Sequence, residues 1–148
     1  MRCPICNNSD TKVVDTRESA GNLLVRRRRE CEKCHYRFST MEEVELLDLM
    51  VVKSDGGREM YLREKLEGGI KRSLTKRAYT NEDFRRLVHA IERDIQKKRK
   101  REISTKDIGE IAMKNLKSFD KVAYIRFASV YRDFKDMKSF EREAKKLK

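Results

Sequence analysis

Apolar and polar positions change rhythm along this chain of 148 residues, and each change marks a different kind of element. Up to residue 40 the apolar side chains are sparse and grouped in short strand-like runs. Lys12-Val13-Val14-Asp15-Thr16, Leu23 to Glu30 and Tyr36-Arg37-Phe38-Ser39-Thr40 read as three strands. Glu18-Ser19-Ala20-Gly21-Asn22 is the turn between the first two, with Gly21 and Asn22 suited to positive φ. Met41 to Asp48 is acidic and lacks Gly and Pro, which predicts a short, stiff bridge. Leu49 to Lys53 and Arg58 to Tyr61 then flank Ser54-Asp55-Gly56-Gly57, the pattern of a hairpin.

Beyond Leu62 the period becomes helical. Leu62, Leu66, Ile70 and Leu74 recur every four residues, interrupted by Gly68-Gly69. Thr80 caps a second helix that buries Phe84, Leu87, Val88, Ile91 and Ile95 and ends in Lys97-Lys98-Arg99-Lys100-Arg101. That basic run suits a helix C-terminus and equally a nucleic-acid patch. Ser104 caps a third helix with Ile108, Ile111, Ala112 and Leu116. Asp120 caps a fourth, whose expected core is Val122, Ile125, Phe127 and Val130. Lys138 to Lys148 is a basic helical tail with little to bury. The fold class is α+β: an antiparallel ribbon over 1–45, a hairpin packed on a helical bundle over 49–137, and the tail over 138–148.

Composition sharpens this in one respect. Net charge is +12, with 42% of residues charged, and no run approaches the ~18 apolar residues that a membrane span needs. A soluble, cytoplasmic protein with a polyanionic partner is expected. Residues 1–45 carry nine Lys/Arg against eight Asp/Glu, so almost all the excess lies in the second half.

The four cysteines carry the clearest chemistry. Cys3-Pro4-Ile5-Cys6 and Cys31-Glu32-Lys33-Cys34 are two C-x-x-C pairs, 24 residues apart. Each pair turns two sulfurs toward one ion about 2.3 Å away, and two pairs complete a tetrahedron. Two disulfides are an alternative, but no secretory signal is read and the spacing favours metal. Cys31-Glu32-Lys33-Cys34-His35 also spells the c-type haem pattern, which would leave Cys3 and Cys6 unexplained. Structural Zn²⁺ is the favoured reading, with His35 a turn residue.

Beside the second pair stand Arg26-Arg27-Arg28-Arg29, four arginines with no lysine. Alternation sends two to each face of a strand, and Arg37 extends the basic surface. Guanidinium forks match phosphates and guanine edges, so this strand is the candidate nucleic-acid contact. The second half has no phosphate-binding glycine loop and no catalytic constellation, so no enzyme is expected. His89 reads as a surface residue. Lys53, Glu59 and Lys65 lie where two lysines could converge on a triphosphate.

At this point the motifs resemble a known family. Cys3-Pro4-x-Cys6, Val14-Asp15-Thr16-Arg17, Arg26 to Cys31 and Arg37-Phe38-Ser39-Thr40 resemble the zinc ribbon of the NrdR transcriptional repressors. Val51-Val52-Lys53-x-Asp55-Gly56, Glu59 and Arg63-Glu64-Lys65-Leu66 resemble the opening of their ATP-cone, and Ala123 to Tyr131 its closing helix. The resemblance implies a ribbon that binds promoter boxes of ribonucleotide reductase genes, with Arg17 joining the five arginines above. It implies a cone that binds ATP or dATP through Val51, Lys53, Glu59, Lys65, Tyr124 and Tyr131, and an oligomeric state that follows the nucleotide. Ser54 stands where the family usually has arginine, Met60 replaces a common proline, Met41 an aromatic or valine, and His35 a frequent glycine. The competing reading is an RNA- or protein-interaction module whose cone is only a scaffold.

Overall fold

The computed structural model describes residues 1–19, 24–44, 48–132 and 134–147. The predicted turn at 20–22, Leu23 and the centre of the acidic bridge lie outside them. The chain divides into two compact units, Met1–Glu45 and Leu46–Lys148.

The first unit is a three-stranded antiparallel sheet, β1 (Thr11–Ser19), β2 (Leu24–Cys31) and β3 (Arg37–Glu43), with β2 in the centre. Strands β1 and β3 run past their predicted ends because β2 offers partners along its whole length. Cys3, Leu24 and Cys31 are the buried hydrophobic residues described here, too few for an independent apolar core.

In the second unit β4 (Met50–Val52) and β5 (Arg58–Met60) form the expected hairpin. Gly56 takes φ +85° in its turn, a conformation that suits glycine. A third strand, β6 (Glu102–Ser104), lies parallel to β4 and was not predicted. Around this sheet are α1 (Arg63–Ser73), α2 (Asn81–Gln96), α3 (Thr105–Phe119), α4 (Lys121–Tyr131) and α5 (Met137–Lys145). Thr80 forms a capping box with Asp83, and the Ser104 and Asp120 side chains accept from the Asp107 and Ala123 amides. The core runs through Ile70, Leu74, Ile91, Met113 and Leu116. No helix among the described residues is long and apolar enough to cross a membrane.

Five expectations need correction. Gly68-Gly69 does not interrupt α1, which continues through both. Lys97–Arg101 lies at the C-terminus of α2 but past its last helical residue: α2 stops at Gln96, the Lys97 amide still donates to the Arg93 carbonyl, and Arg99 turns the chain with φ 50° before the Arg101 carbonyl accepts from the Met50 amide. In α4 the buried stripe is Ala123, Tyr124 and Ala128, while Val122 is half-exposed and Val130 is 85% exposed. Small residues sit inside because neighbouring helices approach closely there. His89 is buried, its Nδ1 3.4 Å from Arg63 beside the Arg63–Glu92 pair. The tail segment does bury a group: Glu143 on α5 is 3% exposed and accepts from Tyr124 and Arg132.

Candidate metal centre and ligand surfaces

Two knuckles build the metal centre by the same local geometry. The Asn7 amide donates to the Cys3 carbonyl and the His35 amide to the Cys31 carbonyl, each at 3.0 Å. Each turn closes through a left-handed residue, Asn7 at φ 58° and His35 at φ 57°. His35 thus performs the turn role that the sequence suggested, and its Nδ1 lies 3.9 Å from Glu30.

The sulfurs of Cys3, Cys6, Cys31 and Cys34 lie within 4.8 Å of one another, with cross-knuckle approaches of 3.6 Å (Cys3–Cys34) and 3.5 Å (Cys6–Cys31). Tetrahedral zinc–thiolate bonds of about 2.3 Å set sulfurs roughly 3.8 Å apart, so the cage fits the ion. The Cys34 amide, with the Lys33 amide and the Cys6 and Cys34 sulfurs, outweighs desolvation and brings the Cys31 thiol down to about 6. The Tyr36 amide favours the Cys34 thiolate, but desolvation and crowding by the Cys6, Cys3 and Cys31 sulfurs push that thiol up to about 12. Four sulfurs this close cannot all ionise without a compensating cation. With every ligand position taken by sulfur, such an ion holds shape and activates no water.

The sheet sorts the arginines. Arg26 and Arg28 are exposed on one face, opposite Arg17 and Asp15 of β1 and Met41 and Ser39 of β3. Arg37 shares this face and pairs with Glu30 at 2.6 Å, an ion pair that holds the Glu30 carboxyl below its usual range. Neither Arg26 nor Arg28 has a carboxylate partner among the described residues; Arg26 donates to the Ser39 hydroxyl at 3.3 Å. Arg27 and Arg29 lie half-buried on the other face, Arg27 paired with Glu42 at 3.0 Å and Arg29 reaching the Thr40 hydroxyl at 3.4 Å. The six arginines therefore do not form one surface.

In the second unit the hairpin brings Val51, Lys53, Glu59 and Lys65 together. Val51 is buried and pairs with Glu59 across the ladder. The Glu59 carboxylate takes Lys53 at 2.9 Å and Lys65 at 2.7 Å. Lys65 first and Lys53 second hold Glu59 below the usual carboxylate range, and Glu59 raises Lys53 in return. Tyr131 is built into a different wall. Its ring stacks on Phe127, fills the space left by Gly109, and its hydroxyl donates to the Lys106 carbonyl at 2.6 Å. With Gly69, Arg72, Arg126 and Phe127 it lines a cavity of about 530 Å³. Tyr124 is buried, and its hydroxyl is engaged by Glu143.

Sequence reasoning missed a buried group that shapes the hairpin site. Glu92 of α2 accepts from Tyr61 at 3.0 Å and from both sides of the Arg63 guanidinium, at 3.0 and 2.5 Å. It thereby anchors the exit of β5 and the first turn of α1, where Lys65 sits. A carboxylate amid the apolar positions of a helix was the available signal.

Comparison with known proteins agrees with this two-part architecture. Residues 1–42 match the profile of the transcriptional repressor NrdR-like N-terminal domain, and residues 49–137 match the ATP cone domain. Proteins named transcriptional repressor NrdR are 51% identical in Finegoldia magna and 48% in both Acetivibrio thermocellus and Pelobacter propionicus. Each alignment covers 99% of this chain and 97–98% of the relative.

Proposed function

The chain belongs to the NrdR family of transcriptional repressors, a zinc ribbon followed by an ATP-cone, and from that premise we propose how its two units divide the work. The ribbon binds short boxes in promoters of ribonucleotide reductase genes. ATP and dATP occupy the cone and select between oligomeric states, one of which presents paired ribbons to DNA. The chain regulates and does not catalyse, as the naming of its relatives implies. It works in the cytoplasm, at the nucleoid when bound to DNA.

The observation that carries the reading is the pair of forks, Arg26 and Arg28, without a carboxylate partner among the described residues and held beside a four-thiolate cage on one sheet face. Guanidinium forks exposed on a sheet face can reach the phosphates and base edges of a duplex. One such face makes few contacts, so tight binding requires two ribbons on one duplex, where the second contact is intramolecular. On the cone, Glu59 holds Lys53 and Lys65 side by side, two ammonium groups that can meet one polyphosphate. Nucleotide can control pairing only if ATP and dATP prefer different assemblies, because equal affinity for both shifts nothing.

The test is operator titration with light scattering on zinc-loaded apo, ATP-bound and dATP-bound protein. Tight duplex binding by the dATP form, a different and DNA-incompetent assembly with ATP, and loss of that distinction in Lys53→Ala or Lys65→Ala are expected. Equal size and affinity with both nucleotides would overturn the mechanism. Equal affinity for RNA of the same length would favour an RNA-binding module instead.

A further inference from the structure

The arginine face owes its composition to one extra residue. Along β1 and β2, Val13 stands opposite Arg29, but the next pair is Asp15 with Arg28, followed by Thr16 with Arg27 and Arg17 with Arg26. Val14 is a bulge. Because facing alternates residue by residue, an insertion of one reverses every side chain beyond it. In unbroken register Asp15 would oppose Arg27, and Arg17 would oppose Val25, on the face where Arg27 is tied to Glu42. The bulge moves both onto the face of Arg26 and Arg28.

That move brings a carboxylate to a surface whose partner is a polyanion. Asp15 repels phosphate, so mere backbone attraction does not account for it. Its Oδ2 accepts from Arg17 Nε at 3.0 Å. An end-on fork uses the two terminal nitrogens and leaves Nε free for this bond; those two make no hydrogen bond or ion pair among the described residues, on a side chain that is 81% exposed. Asp15, Arg17, Arg26, Arg28 and Ser39 together line a shallow depression of about 90 Å³. An arginine held by Nε in a set plane loses less freedom when its fork meets the O6 and N7 of a guanine.

We propose that Asp15 is a positioning residue for base readout: placed by the Val14 bulge, it holds the Arg17 fork toward a guanine edge and shifts this face from phosphate attraction to sequence discrimination. The proposal rests on the ribbon face being the DNA surface.

The experiment uses full-length, zinc-loaded protein. Wild-type protein first selects duplexes from a randomised pool in its tightest-binding nucleotide state, and the selected duplex and a scrambled version become the probes. Asp15→Asn is expected to cut the selected-to-scrambled affinity ratio about tenfold, while scrambled binding holds or tightens as a negative charge is removed. Arg17→Lys, which keeps the charge and loses the fork, is expected to lower the ratio equally, and Asp15→Ala replaces Asp15→Asn if that variant loses zinc. An unchanged ratio in the zinc-bound variants overturns the role of Asp15. The double variant Arg26→Ala/Arg28→Ala separates the two levels. If it leaves both probes bound, the DNA face itself is wrong; if binding collapses while the Asp15→Asn ratio stays at wild type, the face stands and the positioning role falls.

Discussion

The two units of this chain solve the problem of folding in opposite ways. Among its described residues the ribbon buries Cys3, Leu24 and Cys31 and little else that is apolar, so its shape depends on what the four sulfurs hold. The cone packs Ile70, Ile91, Met113 and Leu116 into a continuous apolar core and needs no ion for its shape. A short segment cannot bury enough surface to offset chain entropy, whereas about a hundred residues can. The division suits the proposed work. A ribbon freed from having a core can expose both sheet faces, and a packed cone can couple a ligand at its hairpin to distant helices.

The sharpest way to break the comparison is to remove one thiolate. Cys31→Ser should lose zinc and operator binding together, because metal binding that contributes on the order of 10 kcal/mol is also the folding energy of such a site. Nucleotide binding and the thermal transition of the cone should remain. Metal analysis, DNA titration and calorimetry on one preparation check this, and one retained equivalent of zinc with normal DNA affinity would refute it.

The converse variant is Leu116→Ala, at a position with 0% exposure. A cavity there should cost the cone about 2–5 kcal/mol and leave zinc content at wild type. Denaturant unfolding monitored with a zinc-sensitive dye separates the two units. Next comes Gly109→Ala. A methyl at this site would overlap the Tyr131 ring, so the helix or the ring must shift, at roughly 1–3 kcal/mol. If Tyr131 contacts nucleotide, ATP affinity should fall while the ribbon is untouched; unchanged affinity alongside reduced stability would remove Tyr131 from the site.

The smallest effect is acid sensitivity. Glu59 is held below its ordinary value of 4.5 by Lys65 and Lys53. A depressed carboxyl contributes fully above its unfolded value and loses that contribution as pH falls through the lower folded value. Lowering pH from 7 to 5 should therefore leave this cluster intact. Thiolates compete with protons for metal, so zinc should leave the ribbon before the cone loosens. Zinc release and cone circular dichroism, followed along one acid titration, should separate in that order.

The sequence by itself determined what depends on near neighbours. Two C-x-x-C turns define their own geometry, so the metal cage was legible, as were the caps at Thr80, Ser104 and Asp120, where a side chain satisfies amides three residues on. The Lys53–Glu59–Lys65 cluster was legible because a turn of known length returns the chain from Lys53 to Glu59 and a helix starts shortly after. Tertiary structure alone decided the rest. Three residues of β6 are a strand only because β4 lies beside them. Ala123 and Ala128, not Val122 and Val130, face inward because close helix approach selects for size over hydrophobicity. His89 and Glu92 are buried because Arg63 and Tyr61 arrive from elsewhere in the chain to meet them. Above all, four consecutive arginines announce a basic strand, but alternation from the sequence cannot say which residues of β1 join which pair. One bulged valine settles that, since register is a property of two strands and neither carries it alone.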